Sequence, residues 1–307
     1  MPTDGRKVAI VGAGQVGMAC ALVMAVRRRA DELVLVDVDH LRAEGETWDL
    51  QHGLPFLEPL QIRYGGYEAA AAAQVVVITA GARRGPDESR LVLLQKNAAI
   101  VRSIVEALAT VCREAIWVVV TNPVDVMAYL AWQWSKLPPA RVIGTGTLLD
   151  MARLQVLLAQ KLGVAASSIQ APVLGEHGDQ AVPLWSRVTV GGLPLDMEPA
   201  EREQLWQQVL RAGQEVIRRK GNTCYGIALA VDDLVATILG DHARVMPVSC
   251  WAQGYYGLGD VYLSLLTVVG RQGVNRVLPV PLDETEYAGL QRAAQVLVQV
   301  RKEITYS

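Results

Sequence analysis

The stretch KVAIVGAGQVG, residues 7–17, restricts what this chain can fold into more than any other part of it. A short apolar, β-branched run ends at a glycine, and glycines spaced as GxGxxG then open an apolar segment of helical length. In that setting each glycine has its own steric task. Gly12 permits a tight turn, Gly14 lets a pyrophosphate approach the backbone, and Gly17 allows a helix to pack closely on a strand. Unpaired amides at the start of that helix then face the phosphates. The second apolar run ends LVLVD, which sets Asp37 at the separation where a carboxylate accepts hydrogen bonds from adenine ribose hydroxyls. An acid there disfavours a 2′-phosphate, so the expected cofactor is NAD.

The rest of the first half repeats the alternation. Strands are expected near residues 9, 35, 77, 118 and 142, with helices over 15–29, 41–52, 90–110 and 124–134. Strands that are apolar throughout, joined by crossovers of this length, imply a parallel sheet covered on both faces. The fold class is therefore α/β, with an N-terminal Rossmann doubly wound sheet over 1–144. Over 145–307 the pattern becomes a mixed α+β substrate domain: a helix from Leu148 to Leu162, strand-like pieces around 170 and 188, and a helix from Glu198 to Lys220 continuing toward Leu239. Strands near 248, 265 and 277 and a helix from Asp283 to Glu303 complete it. A cleft between the two halves is the expected ligand site.

Composition excludes several classes. A net charge of -2 and arginine clusters mixed with acids offer no face for nucleic acid. Cys20, Cys112, Cys224 and Cys250 lack CxxC spacing, so neither a zinc site nor a disulfide framework is indicated, and buried thiols in a reducing cytosol are expected. Val8–Val26 is almost wholly apolar with basic residues on both sides, a pattern that hydropathy alone would score as a membrane span or signal core. Three glycines and Gln15 interrupt it and another strand follows at once, so a buried strand and helix fit better and no membrane partner is expected. A cytoplasmic location is expected from the lack of a targeting segment.

Three further segments carry chemistry. VLGEHGDQ contains His177, LLDMAR sets Asp150 and Arg153 three apart on one helical face, and TNPVD sets Asn122 at the end of a parallel strand, where open α/β sheets bind ligands. The run GARRGPDESR, residues 81–90, follows the third strand and holds Arg83, Arg84 and Arg90 beside Asp87 and Glu88. Together with GAGQVG, Asp37 and KGNTCYGI, in this order and at these separations, the motifs resemble the L-lactate dehydrogenase branch of the lactate/malate dehydrogenase family nearly end to end.

The resemblance implies that His177 is the acid/base, exchanging a proton with the substrate C2 oxygen as hydride moves between C2 and the nicotinamide. Asp150 would orient and charge the imidazole, Arg153 would clamp the substrate carboxylate, and Arg90, on a loop able to close, would polarise the C2 carbonyl. Asn122 and Thr223 would line the substrate pocket. Gln15, Val16, Thr79, Gly81, Ala82, Thr121, Asn122 and Ile227 would join the glycines and Asp37 around NAD, although an apolar Ile227 in an apolar helix is core by default. A guanidinium and an imidazolium supply the electrophile, so no metal is expected, and His40, His52 and His242 read as surface or capping residues. A homotetramer or homodimer is implied, without the amino-terminal arm of some relatives. Relatives activated by fructose 1,6-bisphosphate carry arginine and histidine where this chain has Gln155 and Gln170, so no such activation is expected.

The family's substrate reader falls on Arg84, where lactate enzymes generally carry glutamine and malate enzymes arginine. An arginine closed over a methyl group is desolvated without a partner, whereas over a second carboxylate it gains a bidentate pair. That leans the substrate slightly toward malate and oxaloacetate. Lactate and pyruvate are the alternative, because Asp87 or Glu88 can neutralise Arg84, Glu88 and Thr223 follow the lactate pattern, and Arg83 competes for the inward position. A third reading, an NAD-binding protein without catalysis, is opposed by the retention of His177, Asp150, Arg153, Arg90 and Asn122 together.

Overall fold

The computed structural model describes residues 5–82 and 89–304. The first half runs β1 (Lys7–Val11), α1 (Gln15–Val26), β2 (Glu32–Val36), α2 (His40–His52), β3 (Gln61–Gly65), β4 (Val75–Ile78), α3 (Arg90–Leu108), β5 (Ile116–Val119), α4 (Val124–Ser135) and β6 (Val142–Gly144). These six strands are parallel in the order β3-β2-β1-β4-β5-β6. The winding reverses between β1 and β4, so the crevice at their carboxyl ends is the natural ligand position. Side chains alternate across the sheet: Val8 and Ile10 of β1 face α1, while Ala9 and Val11 face α3 and α4.

The second half contains α5 (Leu148–Leu162), β7 (Ile169–Gln170), β8 (Val173–Gly175), β9 (Ala181–Pro183), β10 (Thr189–Val190), β11 (Leu193–Pro194), α6 (Pro199–Lys220), α7 (Tyr225–Leu239), β12 (Arg244–Trp251), β13 (Tyr262–Gly270), β14 (Gly273–Val277) and α8 (Glu284–Lys302). Its larger strands do not form a separate sheet. β12 lies antiparallel to β6, with Ser249 opposite Gly144, and β13, β14, β8 and β9 extend the same sheet beyond it. One core cluster likewise spans both halves, since Val231, Leu234, Val235 and Ile238 of α7 pack with Val8, Ile10 and Met24.

Two expectations change. β3 was not expected because QIRYG is an edge strand with a single buried residue, Ile62, and so lacks an apolar run. The expected continuation of α6 into α7 is broken at Gly221, whose φ of +85° ends α6 in a left-handed cap that supports a turn before Tyr225. All four cysteines are buried free thiols. His40, His52 and His242 are exposed. Among the described residues no helix is long and apolar enough to cross a membrane, and Val8–Val26 divides into β1, the glycine turn and α1.

The halves are also tied by charge. Asp232 of α7 is fully buried and accepts from Arg27 Nη1 at 2.8 Å and from Arg29 Nε and Nη2 at 3.0 Å, both arginines lying just after α1. A buried carboxylate stripped of its partners is strongly destabilising. Arg29→Met is expected to be tolerated with a modest loss, whereas Arg27→Met/Arg29→Met together lower stability by about 3–5 kcal/mol, read from urea unfolding.

Candidate active site

The glycine turn lies at the switch point. Gly12 has φ +110°, and a Cβ on it would lie 2.6 Å from the Ala80 amide nitrogen, so only glycine fits. At Gly17 a Cβ would lie 1.9 Å from the Gly12 carbonyl oxygen, which explains the close approach of α1 to β1. A Cβ at Gly14 would meet nothing within 4 Å, leaving the backbone open toward a pyrophosphate. Gln15 and Val16 begin α1, and Val16 packs against the core. Asp37 closes the turn from the side: its Oδ2 accepts from the Ala13 amide at 2.6 Å and its Oδ1 from the Asp39 amide at 3.0 Å. It does not cap α2, because Asp39 does that by accepting from the Arg42 amide. Thr79 Oγ1 donates to the Gly12 carbonyl at 3.0 Å, and Thr121 Oγ1 donates to the Ala80 carbonyl at 2.7 Å. The cofactor residues expected on β1, β4 and β5 therefore form one hydrogen-bonded floor.

His177 lies on the turn between β8 and β9, entered through Gly175 at φ +85°. Its Nδ1 is 2.5 Å from Asp150 Oδ2, and Arg153 Nη1 donates to Asp150 Oδ1 at 3.0 Å. The three expected residues thus meet, with Asp150 between the other two and only 6% exposed. Burial pushes the Asp150 carboxyl up, but the charges and hydrogen bonds of His177 and Arg153 outweigh it and hold the group below its ordinary value. Burial pulls the imidazole of His177 down, yet the charge and hydrogen bond of Asp150 outweigh it, so its net shift is upward. The second ring nitrogen, Nε2, is left for chemistry.

Arg90 is the first residue of α3 rather than part of a loop, capped by Ser89, which accepts from the Val92 amide at 3.2 Å. Its side chain is 80% exposed, with Nη1 4.0 Å from Asp179 Oδ2, two residues beyond His177. Asn122 follows the end of β5. Thr223 is half-buried in the turn between α6 and α7, and Ile227, in the first turn of α7, is partly buried against the core. Arg83, Arg84, Asp87 and Glu88 lie outside the described residues. Among the described residues no cluster of histidine, cysteine or acids could hold a metal.

Sequence reasoning assigned no role to three neighbours. Asp125, in the first turn of α4, accepts the His177 amide on Oδ2 at 2.8 Å and so fixes the backbone of the turn that carries His177. Burial pushes its carboxyl up to about 6, against the Ser249 hydroxyl and the His177 amide, which favour the charged form. Glu176 is driven to about 7 by burial and by Asp125 and Asp179, against the Gln180 amide and the charge of His177. Gly213 of α6 faces Arg153, since a Cβ there would lie 3.4 Å from Arg153 Nη2. Asp125 was within reach because it belongs to TNPVD; nothing in the sequence marked Gly213.

The comparisons with known proteins agree with this layout. The lactate/malate dehydrogenase NAD-binding domain matches residues 6–144, and the alpha/beta C-terminal domain of the same family matches 147–306. The chain belongs to the lactate/malate dehydrogenase family. It is 46% identical to the L-lactate dehydrogenase of Synechococcus sp. (strain JA-3-3Ab), over 96% of this chain and 98% of that one. It is 40% identical to the human L-lactate dehydrogenase A-like 6A, over 97% and 93%. The solved minor L-lactate dehydrogenase of Enterococcus mundtii superposes with a TM-score of 0.95 at 37% identity, covering 98% and 99%. The family member described here is an NAD-dependent 2-hydroxyacid dehydrogenase with a Rossmann N-terminal domain. The lean toward malate is not supported by these relatives, which fit the lactate alternative better. That lean rested on Arg84 alone, whereas Thr223 and Glu88 already followed the lactate pattern.

A carboxyl raised in the folded state stabilises the protein fully below its unfolded pKa, and that contribution is lost as pH rises through the folded value. For Glu176 the window runs from about 4.5 to about 7. Glu176→Gln is therefore expected to gain melting temperature relative to the parent chain as pH rises from 5 to 8. A constant difference across that range would contradict the assignment.

Proposed function

We propose that this chain is an L-lactate dehydrogenase that interconverts pyruvate and L-lactate. The observation that carries the reading is the extent of its likeness to L-lactate dehydrogenases across the whole chain, supported by His177 and Arg153 meeting on one buried carboxylate. NAD, when bound at the glycine turn, supplies or accepts the hydride. In the direction of reduction, imidazolium His177 donates its Nε2 proton to the C2 oxygen, while Asp150 holds Nδ1 and keeps the ring in register. Arg153, already oriented by Asp150, clamps the substrate carboxylate through two parallel hydrogen bonds. Arg90 polarises the C2 carbonyl, and Asn122 and Thr223 line the substrate pocket. In oxidation of lactate, neutral His177 takes the hydroxyl proton instead.

The lactate reading requires that Asp87 or Glu88 neutralise the charge of Arg84. In purified protein, kcat/KM for pyruvate is expected to exceed that for oxaloacetate, and Arg84→Gln is expected to keep that order; a clear preference for oxaloacetate would overturn the reading. Adding fructose 1,6-bisphosphate is expected to change neither value, in keeping with Gln155, whose amide donates to the Ile169 carbonyl at 2.7 Å.

Reduction needs the protonated imidazole, and the His177 pKa is raised, so kcat/KM for pyruvate holds as pH increases until that raised value and then falls. Asp150→Asn removes the charge that raises it. The falling limb is then expected at lower pH, with a drop in kcat/KM on the order of 10²-fold or more. We also propose a homodimer or homotetramer. Exposed Leu41 and Trp48 on α2, and Val156 and Leu229 on α5 and α7, leave apolar faces for a second copy. Sedimentation as a monomer at micromolar concentration would contradict this.

A further inference from the structure

The buried face of α3 reads Leu94, Asn97, Ala98, Val101, Ile104, Val105 and Leu108. Asn97 is its one polar member and is 3% exposed. An amide buried in such a stripe is costly unless both its ends are hydrogen-bonded. Both are: Oδ1 accepts from the Ala82 amide at 2.7 Å, and Nδ2 donates to the Asn122 carbonyl at 2.8 Å.

Ala82 follows the end of β4, and Asn122 follows the end of β5. One side chain therefore joins α3 to both strand ends at the mouth of the cleft. The packing around it is close. A Cβ on Gly81 would lie 2.8 Å from Thr121 Cγ2 and 3.3 Å from Asn97 Oδ1, so the glycine leaves room for the amide. Arg90 stands two turns earlier on the same side of α3, because seven residues bring a helix back to nearly the same face.

We propose that Asn97 is a positioning residue for the reaction: it fixes the helix that carries Arg90 against the ends of β4 and β5, and so sets the spacing between Arg90 and Asn122. The proposal rests on the reading above, in which those two residues meet the substrate. The hydrogen bonds of Asn97 run to the backbone of Ala82 and Asn122, so its loss alters geometry without removing a reacting group. A displacement of about 1 Å in such a framework can cost on the order of 10²-fold in rate.

The test compares Asn97→Ala and Asn97→Ser with Val101→Ala, which removes apolar volume from the same face without touching the junction. Hydrogen exchange of the peptide containing Ala82, melting temperature, NADH affinity and pyruvate kinetics are measured for each. In Asn97→Ala the Ala82 amide is expected to exchange faster and kcat/KM for pyruvate to fall by about ten-fold or more, mostly through kcat, with any loss of NADH affinity smaller than that fall. Asn97→Ser, which keeps a shorter polar group, is expected to fall between, and it carries the test if the alanine variant does not fold. Val101→Ala is expected to lose melting temperature while keeping kcat/KM. Unchanged kcat/KM in a folded Asn97 variant, or unchanged exchange at Ala82, overturns the proposal. If the parent chain reduces no 2-oxo acid, the functional reading fails separately, and exchange at Ala82 still decides whether Asn97 holds this junction.

Discussion

The proposed chemistry depends on one carboxylate, Asp150, with two basic neighbours. Asp150 is almost fully enclosed, and a buried charge without partners would cost several kcal/mol. His177 and Arg153 supply the partners, and in doing so they are held beside each other, as the proposed reaction requires. The energetic need of the acid and the geometric need of the reaction are met by the same two contacts. Asp125 and Glu176 add further carboxyl groups around the imidazole, and burial keeps both more easily protonated than usual. The site can thus surround a cationic ring with acids without accumulating their full charge.

The cofactor side is ordered by backbone approach rather than by charge. The glycine turn presses on Ala80, Thr79 ties β4 to the turn, Thr121 ties β5 to β4, and Asn97 ties α3 to both strand ends. These links are short, local and almost all to backbone groups. They make the floor of the cleft a single rigid surface, the kind of support on which catalytic spacing can be held.

Much of this was legible in the sequence because the signals were local. Six residues around Gly12 specify the turn, and Asp150 and Arg153 lie on one helix, so their proximity follows from helical spacing. The meeting of His177 with Asp150 could be stated only through the family resemblance, since nothing in either segment encodes the other's position. β3 escaped notice because an edge strand needs little apolar sequence. Gly221 concealed a helix end within a long amphipathic pattern. Asn97 and Gly213 were invisible for a related reason: each matters through what it faces across the fold, and an asparagine or glycine within a helix carries no mark of its neighbour. The lean toward malate weighted Arg84 alone above motifs that read otherwise.

The sheet that runs unbroken from β6 into β12, and the core that α7 shares with β1, have a consequence for modularity. Two separable stretches of sequence correspond to two recognisable family domains, yet no seam of independent stability lies between them. A chimaera cut near residue 145 would inherit half of an apolar core and one side of the Asp232 ion pair from each parent. Exchange of cofactor or substrate halves within this architecture is therefore limited by interior complementarity more than by the chemistry of either half.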